Sequence, residues 1–346
     1  MTPAPGDRPL AGLKVVDLTK LLPGPLATLH LAELGAEVTK VEGPARDGQD
    51  DGMRLMLSTA DDRAAGRPSF AFRALNAGKR LVELDLRSAA GRDALLALAR
   101  DADLLVEGFR PGVMDKLGLG WDVLHAANPK LVVCAISGYG QRNAWSHRAG
   151  HDINYIAMAG VLEQTAARDG AVAVPNFQIA DLMGGTQGAM VGVLAALLGA
   201  QRSGIGRHVD VSMTHEVHRH HVLARFTLEA TGRTPAPGRD LLSGGAPCYA
   251  AYRCADGRWM AVGALEAKFW TAVCTTLGRP EWAERHWSRG LVPGSAESMA
   301  LRDEVAAVFA TQPMAHWADR FETVDACVTP VLRLDELQHH PVHRAA

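Results

Sequence analysis

Leu13-Lys14-Val15-Val16-Asp17-Leu18 reads as a short buried strand. Leu22-Pro23-Gly24-Pro25 turns the chain after it, and Pro25 suits the first turn of a helix running to Leu34. Gly35 stops that helix, and Glu37-Val38-Thr39-Lys40-Val41 is the next strand. Strand, helix and strand at this spacing form a βαβ unit of a parallel sheet. The alternation continues outward. Leu81 to Leu86 reads as a strand, Ala89 to Arg100 as a helix, and Leu104-Leu105-Val106-Glu107 and Leu131 to Ile136 as further strands. The expected class is α/β, with ligands at the carboxyl edge of the sheet.

A chain of 346 residues exceeds the usual single core, so two domains are expected. Hydrophobic residues make up 47% and charged residues 21%, the balance of a well-packed globular protein. A net charge of -2 gives no general electrostatic case for nucleic acid. Cys134, Cys248, Cys254, Cys274 and Cys327 have no CxxC spacing, which favours reduced thiols in a cytoplasmic setting over disulfides or zinc. The N-terminus lacks the pattern of a signal peptide, and the apolar stretch Ala189 to Ala200 is short for a bilayer. No membrane partner is expected.

The chemistry concentrates in Ala149-Gly150-His151-Asp152-Ile153-Asn154-Tyr155, after the glycine turn Gly138-Tyr139-Gly140. Asp181 follows 30 positions after His151, ahead of Gly184-Gly185 and an apolar helix, Ala189 to Leu198. One imidazole and one carboxyl, each at a loop-to-helix transition, make an acid–base pair. An N-cap role is the alternative for Asp181. Lys40, Lys79, Arg80 and Arg110 each sit at or beside a strand or turn edge. Converging there, they would suit phosphates; taken singly they are ordinary surface cations. Residues 44 to 70 are polar and weakly periodic, which predicts a long, mobile loop. No Walker loop or dinucleotide fingerprint is present.

His215, His218 and His221 share a helical face, but no carboxylate or cysteine pattern completes a metal site, so no metal is expected. Ala230 to Arg239 is a connector rich in Gly, Pro and Thr. Beyond it, apolar strands flank Ala255-Asp256-Gly257-Arg258, a hairpin signal. Glu266, helices over Lys268 to Leu277 and Ser298 to Thr311, and the strand Ala326 to Leu332 follow.

Several stretches in order resemble the family III CoA transferases (CaiB/BaiF), and specifically their α-methylacyl-CoA racemase branch. They are Leu22-Pro23-Gly24-Pro25 with Leu34 to Val38, Asn76 to Arg80, Glu107 to Val113, Gly150 to Tyr155, Gly244-Gly245-Ala246-Pro247, and Asp325 to Val331. The resemblance implies a Rossmann-like large domain, a smaller α+β domain and an interlocked homodimer with its site between subunits. On that basis residues 1–200 form the large CoA-binding domain, 201–240 a linker and 241–325 the small domain. The sequence ends at Ala346, whereas similar proteins continue, so 326–346 is expected to begin a return to the large domain.

By the same resemblance His151 and Asp181 match the two catalytic groups. Glu266 matches the glutamate supporting the histidine, and Asp152 the neighbouring carboxylate. Contacts to CoA would fall on Lys40, on Leu75, Asn76, Lys79 and Arg80, on Arg110, and on Gly150, Ile153, Asn154 and Tyr155. The substrate is then an acyl-CoA thioester, with CoA entering as part of it and no separate cofactor. Inverting the weakly acidic α-carbon needs one group to take the proton and another to return one on the opposite face. The alternative in the family is CoA transfer, with Asp181 attacking the thioester as nucleophile. Such transferases generally lack a histidine at the position of His151. The sequence departs from relatives at Ala144-Trp145, at Ala267 and in the histidine cluster from His215.

Overall fold

A computed structural model describes residues 8–45 and 50–343. The chain divides into two units: the chain up to Leu162 with Val174–Val222, and Glu163–Ala173 with the chain from Leu223 onward. In the first unit, β1 (Lys14–Asp17), β2 (Glu37–Glu42), β3 (Arg80–Glu83), β4 (Leu104–Glu107), β5 (Val132–Ser137) and β6 (His208–Ser212) form one sheet. Their order is β3-β2-β1-β4-β5-β6, and every neighbouring pair is parallel. This is the doubly wound order of a Rossmann-like sheet. Side chains alternate between faces along a strand. Val15, Leu104, Val106 and Cys134 therefore enter one core, and Val16, Leu105 and Val133 the other. Burial on both faces is why these strands read as nearly unbroken apolar runs.

The helix Pro23–Glu33 starts at its proline and stops at Gly35, whose φ of +104° is open to glycine. The helix Ala89–Arg100 is capped by Ser88, whose hydroxyl accepts the Gly91 amide. The helix Gly188–Ser203 buries Ala189, Val193, Ala196, Leu197 and Ala200 against the sheet. It is preceded by Ala180–Gln187, wound with the wider spacing of a π-helix. Together they make a 24-residue run that contains an 18-residue window with a mean hydropathy of 1.5. By length and composition alone that run could cross a bilayer. The helical run is thus longer than the apolar stretch from Ala189 suggested, because the π-wound turns join it.

The 44–70 stretch also differs from expectation; residues 46–49 of it lie outside the described residues. From Asp50 it holds short helical segments at Gly52–Arg54 and Ala60–Ala64, and Phe70–Leu75 follows directly. They are set by caps rather than by an apolar period. Thr59 and Asp62 cap each other, and Ser69 caps the Phe72 amide. Phe72 is buried, with the Arg54 guanidinium 4.2 Å from its ring centre.

The second unit is built on β7 (Tyr249–Arg253), β8 (Trp259–Gly263) and β9 (Val328–Pro330), an antiparallel sheet in that order. Gly257 makes the expected hairpin turn at φ +78°. Trp270, Phe309, Trp317 and Phe321 fill the core behind the sheet. The unit boundaries depart from the sequence division. Glu163–Ala173 joins this unit, held by Arg168 on Asp303 at 2.9 Å and Gln164 on the Pro235 carbonyl at 3.1 Å. β9 pairs with β8, so Val328–Pro330 of the 326–346 segment completes the small sheet.

Candidate active site

The chain winds from β1 to β2 and β3 on one side, then crosses to β4 on the other. Where the direction reverses, the loops part and leave a crevice at the carboxyl ends. A cavity of about 510 Å³ lies there, entirely within the first unit. Its walls are Thr19–Leu21 after β1, Gly108–Arg110 after β4, Gly138 and Tyr139 after β5, then Arg148–His151, Asn154, Tyr155 and Asp181.

His151 is the residue before the helix Asp152–Met158 and is exposed. Its amide donates to Asn154 Oδ1 at 3.0 Å, so a neighbouring side chain fixes the backbone that carries the imidazole. Asp152 turns inward instead. Its Oδ1 accepts the amides of Ala180 at 2.6 Å and Asp181 at 3.1 Å. That carboxylate therefore joins the His151 helix to the start of the Asp181 helix, the role of a brace. Burial, and then the charge of Asp152, push the Asp181 carboxyl up to about 6, with His151 pulling the other way.

The Tyr155 hydroxyl donates to the Gly150 carbonyl. Burial raises its phenol to about 12, so it remains a donor at neutral pH. The Tyr155 ring lies against Gly138, where any Cβ would collide with it. Tyr139 packs edge-on against Tyr155 at 5.2 Å and against Trp145 at 5.6 Å, and the Arg148 guanidinium covers Trp145 at 4.0 Å. Trp145, one of the departures from relatives, thus braces an arginine at the cavity.

The four cations do not converge. Arg110 lines the cavity. Lys40 is buried against Asp51 at 3.4 Å and donates to the Thr19 carbonyl. Lys79 is buried on Asp17 at 3.2 Å, and donates at 2.8 Å to both the Pro25 carbonyl and Thr28 Oγ1. Asn76 Oδ1 accepts from Lys79 at 3.2 Å. Leu75 ends its short helix, and Ile153 is exposed outside the cavity wall. Arg80 donates to Thr39 Oγ1 at 3.1 Å and lines another hollow of about 790 Å³ beside Lys14 and Glu37. That hollow is larger, but it holds neither His151 nor Asp181. Glu266 belongs to the second unit, exposed at the start of the helix Ala267–Thr276.

Sequence reading missed Lys20 and Arg148, both of which line the cavity. The signal for Lys20 was its place just past β1, where the same edge rule applies. Arg148 was readable only as a cation three residues before His151. The histidine stretch forms the helix Met213–His220, with His215 Nδ1 2.8 Å from Ser212 Oγ and His220 Nδ1 2.7 Å from the Glu216 carbonyl. Among the described residues no three His, Cys, Asp or Glu side chains cluster as for a metal.

The profile of CoA-transferase family III matches residues 10–346. The chain belongs to CoA-transferase family III. Among family relatives, the human protein named alpha-methylacyl-CoA racemase is 36% identical over 335 residues, covering 96% of this chain and 80% of that protein. The acetyl-CoA:oxalate CoA-transferase of Acetobacter aceti is 32% identical, covering 98% and 85%. A crystal structure of a CAIB/BAIF family protein from Brucella suis superposes with a TM-score of 0.82 at 25% identity, covering 98% and 88%. The family thus holds proteins named for isomerisation and proteins named for CoA transfer, and the present cavity has to be read on its own side chains.

Proposed function

We propose that this chain inverts the α-carbon of 2-methylacyl-CoA thioesters by two-base proton transfer through an enolate. The observation that carries this reading is the shared cavity of His151 and Asp181, with the carboxyl raised to about 6. A carboxyl near that value exchanges protons readily at neutral pH, as a general acid or base must. The 36% identity to the human racemase supports the same substrate class. In one direction the imidazole takes the α-proton and the carboxylic acid supplies one from the other face; in the reverse direction the roles exchange. Deuterium entering C2 of a 2-methylacyl-CoA in heavy water is the expected result.

The second reading is CoA transfer. Asp181 would attack the thioester carbonyl, form a mixed anhydride and release the CoA thiolate. The 32% identity to an oxalate CoA-transferase favours keeping it in view. CoA appearing on an added carboxylate, without deuterium at C2, would decide for transfer.

Arg110 is proposed as a phosphate contact for CoA, since it faces the cavity while Lys40 and Lys79 are engaged by internal acids. Arg110→Ala is expected to weaken CoA binding by about 1–3 kcal/mol, with the deficit shrinking as salt rises. Calorimetric titration with CoA at two ionic strengths checks it; equal affinity in parent and variant rejects the contact.

A homodimer is also proposed, as the resemblance implies. Val191, Leu194 and Leu198 support it, since they lie on one face of the helix Gly188–Ser203 and are exposed by 72%, 39% and 49%. Sedimentation equilibrium should give twice the 36.9 kDa chain mass; a monomer across the micromolar range would reject it.

A further inference from the structure

The turn after β1 is the strained part of the cavity wall. Leu21 holds a φ of +66°, a left-handed backbone that residues with a Cβ rarely adopt. Its amide donates to Asp51 Oδ1 at 2.9 Å, and the Met53 amide donates to the same oxygen at 3.0 Å. Asp51 Oδ2 faces Lys40 Nζ at 3.4 Å, and Lys40 in turn donates to the Thr19 carbonyl. Both Asp51 and Lys40 are buried, at 1% and 0% exposure. The Asp51 amide donates to Glu42 Oε1 at 3.2 Å, and Glu42 pairs with Arg54. β2, through Lys40, and the segment after it, through Asp51, therefore grip the β1 turn on both sides of Lys20. Thr19, Lys20 and Leu21 all line the cavity that holds His151 and Asp181.

An ion pair buried this deeply is costly unless its hydrogen bonds are used. Here they are used on two backbone groups of one wall. A strained residue persists only where its surroundings over-determine it, and such residues gather where geometry matters for a ligand. We propose that Asp51 is a positioning residue. By holding Leu21 left-handed, with Lys40 holding Thr19, it sets the wall on which the thioester lies. The proposal rests on reading the cavity as the acyl-CoA site.

A double-mutant cycle with Asp51→Ala and Leu21→Gly tests it. Glycine takes positive φ without a Cβ penalty, so the clamp has less to hold in that background. With Leu21 present, Asp51→Ala is expected to lower kcat/KM for a 2-methylacyl-CoA about tenfold, mostly through KM. In the Leu21→Gly background the same replacement should cost less than about threefold. Equal losses in both backgrounds overturn the proposal. If the alanine variant does not fold, Asp51→Asn carries the same cycle, since it keeps one acceptor oxygen and loses the charge toward Lys40. Hydrogen exchange of the peptide from Thr19 to Leu26 gives a readout free of substrate. Faster exchange there in the Asp51 variant supports the clamp, and unchanged exchange overturns it. A parent enzyme with no turnover of any acyl-CoA refutes the functional reading instead, and the exchange result still decides the clamp.

Discussion

His151→Ala and Asp181→Ala are each expected to lose racemisation of a 2-methylacyl-CoA by about 10²–10⁴-fold, while each keeps exchange at C2 from one enantiomer only. Full inversion needs both groups, but removing a proton from one face needs one. His151→Ala leaves the enantiomer served by Asp181, and Asp181→Ala leaves the other. The pH profile follows from the carboxyl raised to about 6 by burial and then by Asp152. In His151→Ala the surviving base is the ionised carboxylate, so residual exchange should rise as pH climbs through about 6 and then level off. Because His151 draws the Asp181 value downward, its removal should move that limb upward. The measurement is deuterium incorporation from each pure enantiomer in both variants, with a mass search for an acyl adduct on Asp181. Racemisation by His151→Ala at the parent rate, or an adduct with no exchange, would sink the two-base scheme.

Asp17→Ala is expected to destabilise the first unit by about 3–5 kcal/mol. Asp17 is fully buried at the end of β1. It accepts from the Thr19 amide at 2.9 Å, from Thr19 and Thr28 hydroxyls at 2.6 Å, and from Lys79 at 3.2 Å. Burial pushes its carboxyl up, but Lys40, Lys79 and the two hydroxyls outweigh that and hold it below the ordinary value. Its contribution is therefore present above about 3.8 and is lost as the pH falls through the lower folded value. Alanine leaves Lys79 buried without its counter-charge, which is why the cost is large. Removing both charges, in Asp17→Leu with Lys79→Met, should recover much of it. Urea unfolding of the parent and the two variants at neutral pH is the check. A single-variant loss below about 1 kcal/mol would mean that water or another acid compensates Lys79.

The parallel sheet was legible because its strands are buried on both faces, which leaves unbroken apolar runs such as Leu104 to Val106. The pairing of His151 with Asp181 at one cavity was legible because each stands where a loop enters a helix. Lys40 and Lys79 were misplaced as a group with Arg110, since each looks like an edge cation in its own segment. Their partners come from elsewhere: Asp17 lies 62 residues from Lys79, and no local pattern announces that pair. The 44–70 region was read as loop because caps such as Thr59 with Asp62, and not an amphipathic period, define its short helices. The assignment of Glu163–Ala173 to the second unit was hidden for a similar reason. It rests on Arg168 meeting Asp303, 135 positions away.

The π-wound segment Ala180–Gln187 makes the aim of the key carboxyl a matter of counting. Such a segment carries more residues per turn than the α-helix it joins. The wider turns therefore absorb a residue that regular α-turns would not hold. Deleting one residue among Leu182 to Gln187 would let the run close into ordinary α-turns and leave both Asp181 and the sheet-facing Ala189, Val193 and Ala196 near their present directions. In the regular part of the helix each residue turns the chain by about 100°, so the same deletion there would swing Asp181 away from the cavity. The π-wound turns are thus a stretch of this helix whose length can change by one position while the carboxyl keeps its aim.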